Sequence, residues 1–188
     1  SIEGLNISSQ QEGIWISGTG EVSTVPDIVN LRLGIEVTET SVAEAQTQAA
    51  EAMNEVMAAL TSNGVAENDI QTQYFSIRQV TRWDRDKEQE VVTGYRVTNT
   101  VAVMVRDVDK VGSIIDAIAE AGGDLTRIDS IDFSIDDPSE YYEEAREQAI
   151  ADAKVKAEEL ARLAGVQLGK PTYISESTYM PRVYPEVM

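Results

Sequence analysis

Carboxylates are the one reactive group this chain holds in quantity. Thirty-three Asp and Glu stand against fifteen Lys and Arg, a formal charge of −18, and there is no His and no Cys. Thiol nucleophiles, imidazole acid–base chemistry, His-based triads and zinc fingers are therefore excluded by composition. So many acids always offer some pair suited to glycoside chemistry, and pairing alone selects nothing. The densest acidic run is Asp129, Asp132, Asp136 and Asp137. A calcium site needs roughly six to eight oxygens converging from a turning loop. These acids lie along an expected strand without EF-hand spacing, so a solvated acidic face is the expectation.

Gly18-Thr19-Gly20 has the look of a phosphate loop. It lacks the third glycine, the Lys-Ser/Thr and the following helix, so a β-bulge or tight bend is expected. No Ser-x-x-Lys or Gly-x-Ser-x-Gly pattern occurs. No catalytic residue, cofactor site or metal site is assigned, and the chain is read as non-enzymatic. A phosphate backbone would be repelled by the net charge, which excludes nucleic acid as a partner class. No apolar run reaches the roughly 18–20 residues of a membrane span. The residues that stand out for contact are Trp83, Arg82 and Arg85, an aromatic flanked by guanidiniums in a polar segment, the composition of an interface anchor.

The elements that must position these residues follow from periodicity. Ile14-Trp15-Ile16 and Val22 to Val25 read as short strands. Val29, Leu31, Leu33, Ile35 and Val37 alternate with polar residues as a half-buried strand. Ser41 with Glu44 forms a capping box, and Val42, Ala45, Ala49, Ala52, Met53, Val56, Met57 and Leu60 follow at helical spacing up to Asn63-Gly64. A strand from about Ile70 to Arg82 leads to an exposed hairpin loop over 82–90. In the next strand Tyr95, Val97, Val101, Val103 and Val105 share one face; Asn99 is a polar residue on that side, which fits equally a pocket between helices and sheet or a buried Asn bonded to neighbouring backbone. A helix from about Val108 to Ala121 precedes a strand through Ile131, Phe133 and Ile135.

Asp137-Pro138-Ser139-Glu140 opens a third helix that Gly165 stops. Its stripe is Ala145, Ala149, Ala153, Ala157, Leu160 and Ala164, and Asp152–Lys156 is an expected helical pair. A last strand is expected near Tyr173-Ile174. An internal repeat at a spacing of 58 aligns Met53, Val56, Met57 and Leu60 with Val111, Ile114, Ile115 and Ile118, and Gly64 with Gly122. The fold class is therefore α+β, with tandem strand–helix–strand units whose helices pack on a largely antiparallel sheet.

An ordered set of motifs carries a family resemblance. It comprises Gly18-Thr19-Gly20-Glu21 with Pro26-Asp27, then Gly64-Val65 with Asp69-Ile70-Gln71-Thr72, then Gly94-Tyr95-Arg96-Val97-Thr98-Asn99. Val105-Arg106-Asp107, Lys110-Val111-Gly112, Ala121-Gly122 and Phe133 follow. Glu144 to Ala149, Ala153-Lys154, Lys156-Ala157 and Leu163 to Lys170 complete it. In this order they resemble the SIMPL-domain family over about residues 14–178.

The resemblance implies a bacterial envelope protein, similar to periplasmic or surface members linked to oxidative-stress tolerance and immunogenicity, some of which assemble into rings. It implies no catalytic residue or cofactor. Members often continue with a Gly-led final strand beyond Met188, so either a strand has been trimmed or one sheet edge is unpaired.

The expected organisation is a flexible lead-in over 1–13, a SIMPL-like domain over 14–178 with an inner subdomain near 86–136, and a disordered tail over 179–188. The expected function is self-assembly or partner binding by an exported protein whose signal peptide has been removed. The alternative is a small-molecule or ion-binding domain with a pocket between helices and sheet.

Overall fold

The computed structural model describes residues 13–179, so nearly all of the expected lead-in and tail lies outside the described residues. The chain separates into two compact units, one spanning 25–136 and the other combining 13–24 with 137–179.

The first unit contains β1 (Ile28–Glu39), α1 (Val42–Ser62), β2 (Ile70–Asp84), β3 (Gln89–Val105), α2 (Val111–Gly122) and β4 (Thr126–Ser134). The sheet order is β2-β3-β1-β4, and every neighbouring pair is antiparallel. Each strand–helix–strand crossover thus skips over one strand that the other crossover supplies, the split βαβ arrangement of ferredoxin-like sheets. This is the α+β architecture that periodicity predicts.

Alternation explains the core. Val29, Leu31, Leu33, Ile35 and Val37 of β1 and Val97, Val101, Val103 and Val105 of β3 are all buried. Successive strand residues point to opposite faces, so each set lines a single face. Ala45, Ala49, Met53, Val56 and Leu60 of α1 join the same cluster with Val111, Ile114 and Ile118 of α2. Burying each branched side chain contributes about 1.5–3 kcal/mol relative to exposure. Ser41 caps α1 as its spacing predicts: its hydroxyl accepts from the Glu44 N–H at 3.2 Å and donates to the Glu44 carboxylate at 3.1 Å.

The repeat survives in three dimensions. Met53 and Val111 are equally exposed at 7%, and Val56 with Ile114 and Leu60 with Ile118 are buried partners at 0–2%. The aligned glycines, however, do different jobs. Gly64 adopts φ +88°, the left-handed turn that ends α1. A Cβ on Gly122 would instead press on Thr126, Val56 and Ile35, and the left-handed position passes to Gly123. The second helix also begins later than expected, because Val108–Lys110 forms a 3₁₀ turn before α2.

The second unit is built around α3 (Ser139–Ala164). The expected Asp137 cap is displaced by one residue: Pro138 holds the cap position without a side-chain bond, Asp137 accepts from the Ser139 N–H at 3.0 Å just before it, and Gly165 closes the helix in the left-handed region. Three expectations need correction here. Residues 14–16 and 22–25 form no strand, although alternate residues from Ile16 to Pro26 are half-buried as in an extended chain. Their polar partners lie on the helix instead: the Thr19 N–H donates to Asp152 Oδ2 at 2.8 Å and the Glu21 N–H to Gln148 Oε1 at 3.2 Å. Nor is there a strand near Tyr173 and Ile174, which are 70% and 68% exposed.

Gly18 and Gly20 mark neither a bulge nor a bend. Neither takes a positive φ, and a Cβ on Gly18 would run into the Ala149 carbonyl oxygen, one on Gly20 into that of Ala145. Glycine is there because a helix backbone lies against the segment. The helix answers with small residues: Ala145, Ala149, Ala153 and Ala157 are half-buried, and Ala161 is buried. Leu160 and Ala164, expected on this stripe, are exposed. The stripe holds a strict spacing of four, which the mixed three-and-four spacing used for the expectation leaves after Ala157.

Candidate functional site

The contact residues singled out by composition sit on a projecting hairpin. Pairing between β1 and β3 ends where Glu39 meets Tyr95, whereas β2 and β3 continue together to Asp84 and Gln89. The distal part of the hairpin is therefore a two-stranded ribbon. Gly94 stands where it departs: a Cβ there would lie 2.8 Å from the Glu39 carbonyl oxygen, so only glycine lets β1 finish against the ribbon's base. Thr93 is the extra residue of a bulge, and its hydroxyl donates to the Val80 carbonyl at 3.1 Å. Bulges add twist, which turns the ribbon relative to the sheet.

The expected loop over 82–90 shrinks to a turn at 85–88, because strand pairing continues through Trp83–Glu90 to Asp84–Gln89. Asp84 Oδ1 accepts from the N–H groups of Asp86 and Lys87 at 3.0 and 3.2 Å and closes the turn. Glu88 takes φ +51°, left-handed for a residue with a side chain. Two local acceptor bonds and a long ladder override the polarity that suggested a loop.

Within the ribbon, Trp83 opposes Glu90 and is 59% exposed; Val92 opposes Thr81 and is 47% exposed. These pairs share a face, so Trp83 and Val92 are diagonal neighbours forming a small apolar patch. Arg82 opposes Val91 on the other face, and Arg85 lies in the turn. The three predicted contact residues are thus adjacent in sequence and divided in space. Val92 escaped the sequence reading because its relation to Trp83 depends on a register set by the bulge.

A second candidate is a shallow cleft of about 220 Å³ at one end of the same unit, lined by the Asn63–Ala66 turn, Asp69, Met104–Asp107, Lys110 and Ile114. Its guanidinium is already engaged. Arg106 Nε and Nη2 each donate to Asp69 at 2.9 Å, and Nη1 donates to Asp136 at 2.6 Å. The bidentate bond to Arg106 holds the Asp69 carboxyl below its ordinary range. The cluster works as a clamp joining the start of β2, the end of β3 and the segment after β4.

The acidic run is the solvated face expected: Asp129, Asp132, Asp136 and Asp137 are all exposed, with Asp136 in this clamp and Asp129 paired with Arg127 at 3.0 Å. Among the described residues, no group of three acids converges as a cation site would require. Asn99 does not bond neighbouring backbone through its amide oxygen. Its Oδ1 is buried without a hydrogen-bond partner, as is Thr126 Oγ1, and the two residues flank Ile35 in one row across the sheet.

Fold and motif order together define an α+β protein of SIMPL type. The family model described as "SIMPL: Protein of unknown function (DUF541)" matches residues 14–188, and the chain belongs to that family. It is 33% identical over 186 residues to the 26 kDa periplasmic immunogenic protein of Brucella melitensis, covering 95% of this chain and 72% of that one. It is 34% identical over 160 residues to the uncharacterized protein YggE of Escherichia coli, covering 85% and 63%. A relative from Xenopus laevis named as an interleukin-1 receptor-associated kinase 1-binding protein 1 homolog is 27% identical over 173 residues, covering 87% and 62%. Among the described residues, no helix is long and apolar enough to cross a membrane.

Proposed function

We propose that this chain is a non-enzymatic, exported envelope protein that acts through self-assembly or partner binding, with the β2–β3 ribbon as its contact element. The observation that carries the reading is the ribbon itself: a twisted two-stranded projection with Trp83 and Val92 exposed on one face. Trp is among the residue types most enriched at the anchoring positions of protein interfaces. The periplasmic name of the Brucella relative supports export, and the lack of thiol and imidazole supports a role without turnover. A link to oxidative-stress tolerance, as the resemblance implies, would then run through the partners the protein holds rather than through its own redox chemistry.

The test is a native mass spectrum of the purified chain at near-physiological pH, beside that of Trp83→Ala. A discrete multimer or a retained protein partner in the parent, diminished in the variant, is the expected result. An unaccompanied monomer that turns over a hydrolase or peroxidase substrate, with turnover abolished by one Asp or Glu substitution, would overturn the reading.

A further inference from the structure

Strand β2 is at the edge of its sheet, and its outer side pairs with no strand among the described residues. Edges of this length are normally blunted by proline, lysine or inward charge. From Ile70 to Trp83 there is no proline, no lysine and no acid, in a chain with 33 acids. The neighbouring stretch 91–106 is equally free of acids, but β3 is paired on both sides over most of its length. Among the described residues, β2 presents the longest acid-free backbone edge outward.

The two faces flanking that edge differ. Tyr74, Ser76, Arg78, Val80 and Arg82 alternate onto one face, and Phe75 and Ile77 belong to the other. Phe75 is 53% and Ile77 38% exposed. Arg78 stands directly opposite Arg96, a like-charge pair that costs stability in an antiparallel ladder. Arg96 is relieved by Glu36 at 3.7 Å, whereas Arg78, among the described residues, donates only to the Tyr74 hydroxyl at 3.0 Å. Neither Arg78 nor Arg82 forms an ion pair among the described residues.

We infer that the outer edge of β2 from Tyr74 to Arg82 is a docking site for an extended protein segment of alternating acidic and apolar residues, added to the sheet as a fifth strand. Backbone hydrogen bonds along the edge would hold the segment, as in other strand-addition complexes. Its carboxylates would meet Arg78 and Arg82 on one face, and its apolar side chains would meet Phe75 and Ile77 on the other. The inference rests on the partner-binding reading above and names the chemistry of the partner.

The experiment uses the full chain and a fluorescent ten-residue peptide alternating glutamate with valine. Saturable binding by anisotropy is expected, with slowed amide exchange confined to 74–82. Binding should weaken at least about tenfold in Arg78→Glu/Arg82→Glu, and equally for a peptide with its glutamates and valines in separate blocks. No binding, binding indifferent to the double substitution or to peptide pattern, or protection elsewhere would overturn the proposal. Protection of the same amides that grows with protein concentration, without peptide, would assign the edge to a second copy and overturn it too. If the peptide fails while Trp83→Ala still alters the native mass spectrum, the edge proposal falls alone.

Discussion

The two units solve the same problem, fixing an extended chain against a helix, by opposite means. In 25–136 the strand carries branched aliphatics, the helices carry Val, Leu, Ile and Met, and the backbone is satisfied by neighbouring strands. In 13–24 with 137–179 the chain carries glycine, the helix carries alanine, and two backbone N–H groups are satisfied by the side chains of Asp152 and Gln148. Volume holds the first together and closeness the second. An aliphatic core tolerates small backbone shifts and punishes lost volume, whereas a glycine–alanine seam punishes added volume.

That contrast can be broken by measurement. Leu33→Ala, at a fully buried position, should cost about 2–5 kcal/mol in urea unfolding. Gly20→Val should cost about 1–3 kcal/mol and speed amide exchange in 16–22, because its Cβ meets helix backbone rather than a flexible side chain. Gly112→Ala is the control: its Cβ meets nothing within 4 Å, so this helical position should gain up to about 1 kcal/mol. If Gly20→Val were as harmless as Gly112→Ala, the seam would not be a close-packed contact.

Much of the first unit was legible in the chain. Val29 to Val37 and the α1 stripe state their own burial, and the 58-residue repeat marks two equivalent halves. The second unit was less so. Gly18-Thr19-Gly20 gives no hint of whether a strand, a ligand or a helix approaches it, because a missing Cβ records only that something is near. The site was half legible. Composition exposes Trp83, but whether Arg82 or Val92 shares its face depends on ladder register and on the bulge at Thr93. Local residue types do not encode those.

Electrostatics sharpens the comparison further. A carboxylate with a lowered folded pKa adds stability above its unfolded value, about 3.9 for Asp, and loses it as pH falls through the folded value. Asp69 is such a group, its side chain 12% exposed and held by Arg106. Protonation also relieves the repulsion within a chain of net charge −18, so the parent's melting curve alone mixes two opposing trends. The difference between parent and Asp69→Asn separates them. The variant should melt lower at neutral pH, and the gap should close in acid. A gap constant from pH 7 to pH 2 would mean that Arg106 does not depend on that charge. The smallest expected effect is the stability change in Trp83→Ala, within about 0.5 kcal/mol, which would leave changed association as its consequence.

The 25–136 unit ends where it begins. The Asp27 N–H donates to the Ser134 carbonyl at 3.1 Å, and the Asp136 N–H donates to Asp27 Oδ1 at 2.8 Å. A body whose entry and exit are stitched side by side is portable. It could be lifted out and lodged in the surface loop of an unrelated host without prying that loop open, or given new termini at the 85–88 turn once the old ones are joined by a short link.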